Sequence, residues 1–175
     1  MSRRAIFWAS LIGIATTIPC VQVTATAVTG SSSQTGTNIA QKNRVKPDKY
    51  LTLAVEKYRQ GNYQQAIIEL DRAIKLKPDY AVAYDFRGLI KYQNLKNFSG
   101  ALADFDRALG INPNFVTSYY NRGLLKYKKL NDQPGGIADM KEAAKLFQAK
   151  GDRESAQDAI DFLKQWGVSG TTSGS

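Results

Sequence analysis

The sequence has no histidine and, in 175 residues, one cysteine, Cys20. A lone thiol closes no disulfide within the chain, so a fold held by staples is excluded. Thiolate and imidazole metal sites, cysteine–histidine nucleophiles and histidine-based triads are excluded with it. An all-carboxylate Ca²⁺ or Mg²⁺ site would need a D-x-D-x-D-G type of loop, and none occurs, so no metal and no cofactor is expected. Proline is scarce, at five residues. Two of the five, Pro78 and Pro113, fall just past helical runs, where a residue without an N–H stops the helix and turns the chain. Strand-type alternation is absent from the middle of the chain, whereas the helical period is strong there. A hydrophobic content of 43% is enough to bury a core.

Three segments precede or follow that middle region. The chain opens with MSRR, the apolar run AIFWASLIGIATTIP and the small-residue stretch VTATAVTG, which is the order of an export signal: positive end, apolar core, A-x-A cleavage site. Residues 1–27 are read as that signal, cleaved after Ala25-Thr26-Ala27, which places the mature chain in a periplasm or lumen. The apolar core, interrupted by Thr16, Thr17 and Pro19, is about 15 residues against the roughly 20 that span a bilayer. An uncleaved membrane anchor is therefore the alternative, and lipid attachment at Cys20 a further one, although Pro19 stands where such a site carries Gly or Ala. Residues 28–46 read as a flexible Ser/Thr/Gly-rich leader and 167–175 as a disordered tail. Losing Arg3 and Arg4 with the signal lowers the formal net charge from +9 to about +7.

Between leader and tail the chain repeats itself. DFRGLIKY at 85–92 returns as YNRGLLKY at 120–127, with a weaker copy, LTLAVEKY, at 51–58. The segment after each copy repeats too, with small residues at Ala66, Ala101 and Gly136, and again at Ala73, Ala108 and Ala143. Leu70, Phe105 and Met140 recur between them. Small residues let two helices approach and large ones fill the gaps, as packing of an antiparallel helix pair requires. Gly88 and Gly123 are expected to be small because the partner helix crosses there. One pair cannot bury its own apolar face, but stacking the next pair on it can.

These residues resemble the tetratricopeptide repeat (TPR), a helix–turn–helix unit of 34 residues. In the family's order the first repeat supplies Tyr50, Leu53, Ala54, Gly61, Tyr63, Ala66, Leu70, Ala73 and Pro78. The second supplies Tyr84, Gly88, Phe98, Ala101, Phe105, Ala108 and Pro113, and the third Tyr119, Gly123, Gly136, Met140 and Ala143. The resemblance implies an all-α, right-handed solenoid of antiparallel helix pairs over 47–166, with repeats at about 47–80, 81–115 and 116–150. Repeats two and three carry one extra residue in the turn between their helices, and the third lacks the turn aromatic and the closing proline. Ala156, Ala159, Ile160, Leu163 and Trp166 share one helical face of a capping helix at 152–166, which would cover the open end of the stack.

The resemblance implies binding and not catalysis. Asp104 with Asp106, and Asp158 with Asp161, read as solvated helix faces beside Arg and Lys, so no enzyme is expected. In TPR proteins the first helix of each repeat lines a concave groove for an extended or helical peptide. The matching positions are Leu51, Val55 and Tyr58, then Asp85, Leu89 and Tyr92, then Tyr120, Leu124 and Tyr127. Leu51, Val55, Leu89 and Leu124 would leave apolar surface in water and invite an apolar or amphipathic helical segment. The three outer tyrosines could instead fill gaps between helices. One TPR subclass grips the terminal carboxylate of chaperones with Lys, Asn and Arg; the matching positions hold Leu51, Val55, Phe86, Thr117 and Asn121, which do not fit. The basic excess at Lys42, Arg44, Lys46 and Lys49, and at Lys126, Lys128 and Lys129, suits solubility, acidic partners or weak contact with an anionic membrane surface, with no nucleic-acid partner expected. The reading is an exported TPR adaptor or scaffold, a monomer that binds a partner protein. A self-stacking structural module is one alternative. A membrane-anchored factor that assists assembly of a membrane complex, as some similar TPR proteins of photosynthetic bacteria do, is another.

Overall fold

The computed structural model describes residues 46–168, and these form seven helices with no strand among them: α1 (Pro47–Arg59), α2 (Tyr63–Leu76), α3 (Ala81–Gln93), α4 (Phe98–Ile111), α5 (Val116–Lys129), α6 (Gln133–Ala149) and α7 (Arg153–Gln165). The expected export signal, nearly all of the leader and most of the tail lie outside the described residues. Each helix packs against the next in chain order, so the chain is a stack of three hairpins, α1–α2, α3–α4 and α5–α6, closed by α7. This is an all-α solenoid of helix pairs.

Local signals set the helix boundaries. Pro47 opens α1, where its missing N–H costs nothing. Asn97, Asp132 and Asp152 accept hydrogen bonds from the N–H of Gly100, Gly135 and Ser155, capping α4, α6 and α7. Between the helices of each hairpin one residue has positive φ: Gly61 at 77°, Lys96 at 58° and Asn131 at 55°. The first hairpin meets this demand with glycine, the other two with side chains that must tolerate the left-handed conformation. The extra residue of the second repeat lengthens the turn to 94–97. That of the third is taken up by α5, which is 14 residues long against 13 for α3.

The repeated small and large positions form the core. Ala66, Ala101, Ala73, Ala108 and Ala143 are fully buried, and so are Leu70, Phe105 and Met140. Truncating a buried phenylalanine such as Phe105 costs about 3–5 kcal/mol. The helix crossings are as close as the glycines imply. A Cβ on Gly88 would stand 2.9 Å from the Phe105 ring, and one on Gly123 3.0 Å from the carbonyl of Gly136. Past the third hairpin, α7 buries Ala156, and packs Ala159, Ile160 and Leu163 against Met140 and Ala144 of α6.

Candidate functional site

Which side of the stack is the inside follows from its contacts. α3 touches α5 directly, whereas no two of the second helices α2, α4 and α6 make a comparable contact, so over the second and third repeats the first helices are the more closely spaced row. Of the residues expected on that inner face, Leu51 and Val55 lie one turn apart on α1 and are half-buried. Tyr58, one turn further, stands edge-on to Phe86 of α3, with ring centroids 5.4 Å apart, and close to Tyr63 of α2.

On α3 the three expected residues have different surroundings. Leu89 is 4% exposed, a core side chain and not one left in water. Tyr92 is half-buried, edge-on to Phe98, and packs on the cluster of Ala101, Phe105 and Leu125. Asp85 is 6% exposed and binds α5: its two oxygens accept from Thr117 Oγ1 at 3.2 Å and Ser118 Oγ at 2.6 Å. Burial pushes its pKa from 3.8 up to about 6, and the hydrogen bonds from Ser118, Thr117 and Asn121 only partly oppose this. A buried carboxylate here has the wrong sign for gripping a peptide's terminal carboxylate.

On α5 the inner face is covered by α7. Tyr120 is edge-on to Phe147 and Phe162, Tyr127 stacks on Trp166 with centroids 3.9 Å apart and planes 5° from parallel, and Leu124 packs on the Ala159–Ile160–Leu163 cluster. Phe162, which the sequence reading left off the capping face, supplies much of this cover and carries Lys128 over its ring. The inner surface thus divides into a closed third-repeat end and a stretch on α1 and α3 where Leu51, Val55, Tyr58 and Tyr92 are half-buried.

A second constellation was misread in the sequence. Asp104, expected on a solvated face, is 3% exposed and accepts from Arg87 through both oxygens, at 3.0 and 2.6 Å, while Arg87 also reaches Asp71 on α2. Lys91 Nζ adds a contact to Asp104 at 2.8 Å. One repeat further on, Arg122 binds Asp139 at 2.8 and 2.6 Å and reaches Asp106, and Lys126 lies 3.0 Å from Asp139. Each arginine links its own hairpin to the previous one. Burial works against its charge, and the carboxylates more than offset this, raising the pKa of both guanidinium groups. The row has ends: Leu53 stands in the first repeat where Arg87 and Arg122 stand in the others, and Lys141 replaces the outer aspartate in the third. Glu69, at the place of Asp104 and Asp139, pairs with Arg72 through one oxygen and keeps the other buried without a hydrogen bond. Asp158 and Asp161 are exposed, as expected. The recurrence of R-x-x-x-K at 87–91 and 122–126 on first helices, and of an acidic residue at 69, 104 and 139 on second helices, was the available signal. Among the described residues no group of three His, Cys, Asp or Glu is placed to hold a metal ion, and no helix is long and apolar enough to cross a membrane.

A stack of antiparallel hairpins with an inner row of first helices defines a helical-repeat solenoid. More narrowly, the fold is that of tetratricopeptide repeats: a family model described as the tetratricopeptide repeat matches residues 50–80, and solved TPR structures superpose on the chain. The type III secretion translocator chaperone SycD of Yersinia enterocolitica aligns with TM-score 0.68 at 15% identity, over 78% of this chain and 95% of that one. The TPR2B domain of yeast Sti1, solved as a complex with pHsp70, gives TM-score 0.64 at 18% identity, over 69% and 95%. PcrH, solved with the chaperone-binding region of PopD, gives 0.64 at 18%, over 69% and 90%. At these identities the likeness establishes the fold. No curated protein matches the chain by sequence.

Proposed function

We propose that the chain is a non-catalytic, exported adaptor that holds a segment of a partner protein against the inner face of α1 and α3. The observation that carries this reading is the contrast along that face. The third-repeat positions are occupied by the chain's own α7, while Leu51 and Val55, one turn apart, keep apolar surface at the open end, flanked by Tyr58 and Tyr92. An apolar stripe of this length suits one face of an amphipathic helix or the alternate side chains of an extended segment. SycD, described as a translocator chaperone, PcrH, solved with the chaperone-binding region of PopD, and the Sti1 domain, solved as a complex with pHsp70, lend support from the same fold.

The order of MSRR, apolar run and A-x-A supports export to a periplasm or lumen, with retention of the N-terminal segment as an anchor the other outcome. Closure of the last hairpin by α7 supports a monomer over a self-stacking module. The test is affinity capture from the native compartment with the parent and with Val55→Glu, which puts a charge into the stripe. The adaptor reading expects a partner captured by the parent and lost in Val55→Glu while circular dichroism stays helical. Equal capture by both removes the inner face from the interaction.

A further inference from the structure

Among the described residues four carboxylates are buried, and three of them have a cation: Glu69 pairs with Arg72, Asp104 with Arg87 and Lys91, and Asp139 with Arg122 and Lys126. Asp85 has none. It stands on α3 against α5, where its oxygens accept from Thr117 and from the fully buried Ser118, and its further donor is Asn121. An ionised carboxylate in such a place is costly even when hydrogen-bonded, because no opposite charge offsets the water it has lost.

The cluster is a concerted departure from the repeat. One repeat earlier, Leu51 stands at the place of Asp85, and Val82, Ala83 and Phe86 stand at those of Thr117, Ser118 and Asn121. Four apolar positions have become polar together, the acid with three donors to meet it. The surrounding charges are committed elsewhere. On α3 itself, Arg87 and Lys91 bind Asp104 of α4, and Arg87 also reaches Asp71 of α2. Glu69 and Arg72 of α2 pair with each other, Arg122 and Lys126 of α5 bind Asp139 of α6, and Asp48 of α1 accepts from Tyr80. Burial raises the pKa of Asp85 and the three hydrogen bonds oppose this, with no charged side chain contributing.

We propose that the contact between α3 and α5 is a proton-sensitive joint, closed with Asp85 neutral and opening more readily to water with Asp85 ionised. The neutral carboxyl is accommodated in place: its O–H donates to the Thr117 or Ser118 oxygen, since either hydroxyl can turn to accept. The ionised form keeps its donors but regains full hydration only when the two helices part. The folded pKa is the raised one, so closure is favoured fully below the ordinary value of 3.8 and is lost as the pH rises through about 6. Those two values make the opening equilibrium grow by about tenfold between about pH 5 and pH 7.5. The sequence has no histidine, the side chain that ordinarily titrates in this range, so Asp85 does here what histidine does elsewhere. The joint belongs to the stack itself and does not rest on the adaptor reading.

The test is backbone hydrogen exchange of the full chain at about pH 5 and about pH 7.5, read by mass spectrometry as protection relative to the intrinsic rate at each pH. In the parent, protection in α3 and α5 should fall by about tenfold at the higher pH. The α1–α2 hairpin, at the end of the stack, opens without breaking this contact, so its protection should change by less than about twofold. Asp85→Asn should show no such fall. A second variant, Asp85→Leu with Thr117→Val and Ser118→Ala, copies the apolar positions of the preceding repeat and should also be insensitive to pH, with circular dichroism confirming the helical fold of both. A pH-independent parent would overturn the proposal, and so would an equal response in either variant, which would assign the effect to another group. Equal falls in α1–α2 and α5 of the parent would make the response one of the whole fold and overturn the joint.

Discussion

Gly123 and Gly110 offer one chemical change in two surroundings, and together they test how the hairpins pack. In both, Gly→Ala gains up to about 1 kcal/mol of helix propensity. Gly110 lies near the end of α4 with nothing within 4 Å of the added Cβ. At Gly123 the new methyl would stand 3.0 Å from the Gly136 carbonyl, 3.2 Å from the Met140 nitrogen and 3.3 Å from the Asp139 Cβ. Two of these are backbone atoms of α6, so the helices must separate by a few tenths of an ångström, loosening the fully buried Leu125 and Met140. Overpacking of that kind costs about 1–3 kcal/mol. The intrinsic propensity largely cancels between the two variants, so Gly123→Ala should be less stable than Gly110→Ala by about 1–3 kcal/mol. Urea titration followed by far-UV circular dichroism reads the difference. A Gly123→Ala protein as stable as Gly110→Ala would mean that the crossing is looser than described and that the glycine is not required by packing.

Further outcomes follow from the polar groups and the turns. Asp85 keeps its proton in the folded state to about pH 6, against 3.8 ordinarily, so its contribution to stability is full below the lower value and lost as pH rises through the upper one. Relative to Asp85→Asn, the parent should lose on the order of 2–3 kcal/mol between about pH 4 and pH 7, and a constant difference across that range in paired urea titrations would contradict the buried placement. Arg122→Met leaves Asp139 buried with Lys126 alone and should cost about 3 kcal/mol, whereas Lys145→Met, at the exposed pair with Glu142, should change stability by less than about 0.5 kcal/mol; thermal denaturation of both compares them. Lys96→Gly relieves a positive φ and should stabilise by roughly 1 kcal/mol, with an unchanged or lower urea midpoint as the contrary result.

The parts legible in the sequence were those that repeat. Recurrence of Gly88 at Gly123, of Ala101 at Gly136 and of Leu70 at Phe105 and Met140 fixes which faces pack, because a helix pair that must stack identically reuses the same volumes. Periodicity places a residue on a face but does not say what covers the face. Leu89 shares its stripe with Leu51 and Val55, yet it is buried; Leu124 shares it too, and α7 covers it. The reach of α7 over α5 depends on Phe162 and Trp166 meeting Tyr120 and Tyr127, a contact made by a segment, 153–166, that resembles no repeat. Asp104 and Asp139 escaped for another reason. A carboxylate beside Arg and Lys in sequence looks solvated, and only the crossing of three helices brings Arg87 from α3 between Asp71 and Asp104.

The central claim, that a partner segment lies on the inner face of α1, is tested most directly by site-specific photocrosslinking in the native compartment. A photoreactive side chain at Val55 lies in the half-buried apolar stripe, and one at Gln64 lies on exposed α2. The account predicts a discrete crosslinked adduct from Val55, suppressed when Leu51→Glu is added, and none from Gln64. Adducts from Gln64 with none from Val55 would contradict it and move the working surface to the second helices.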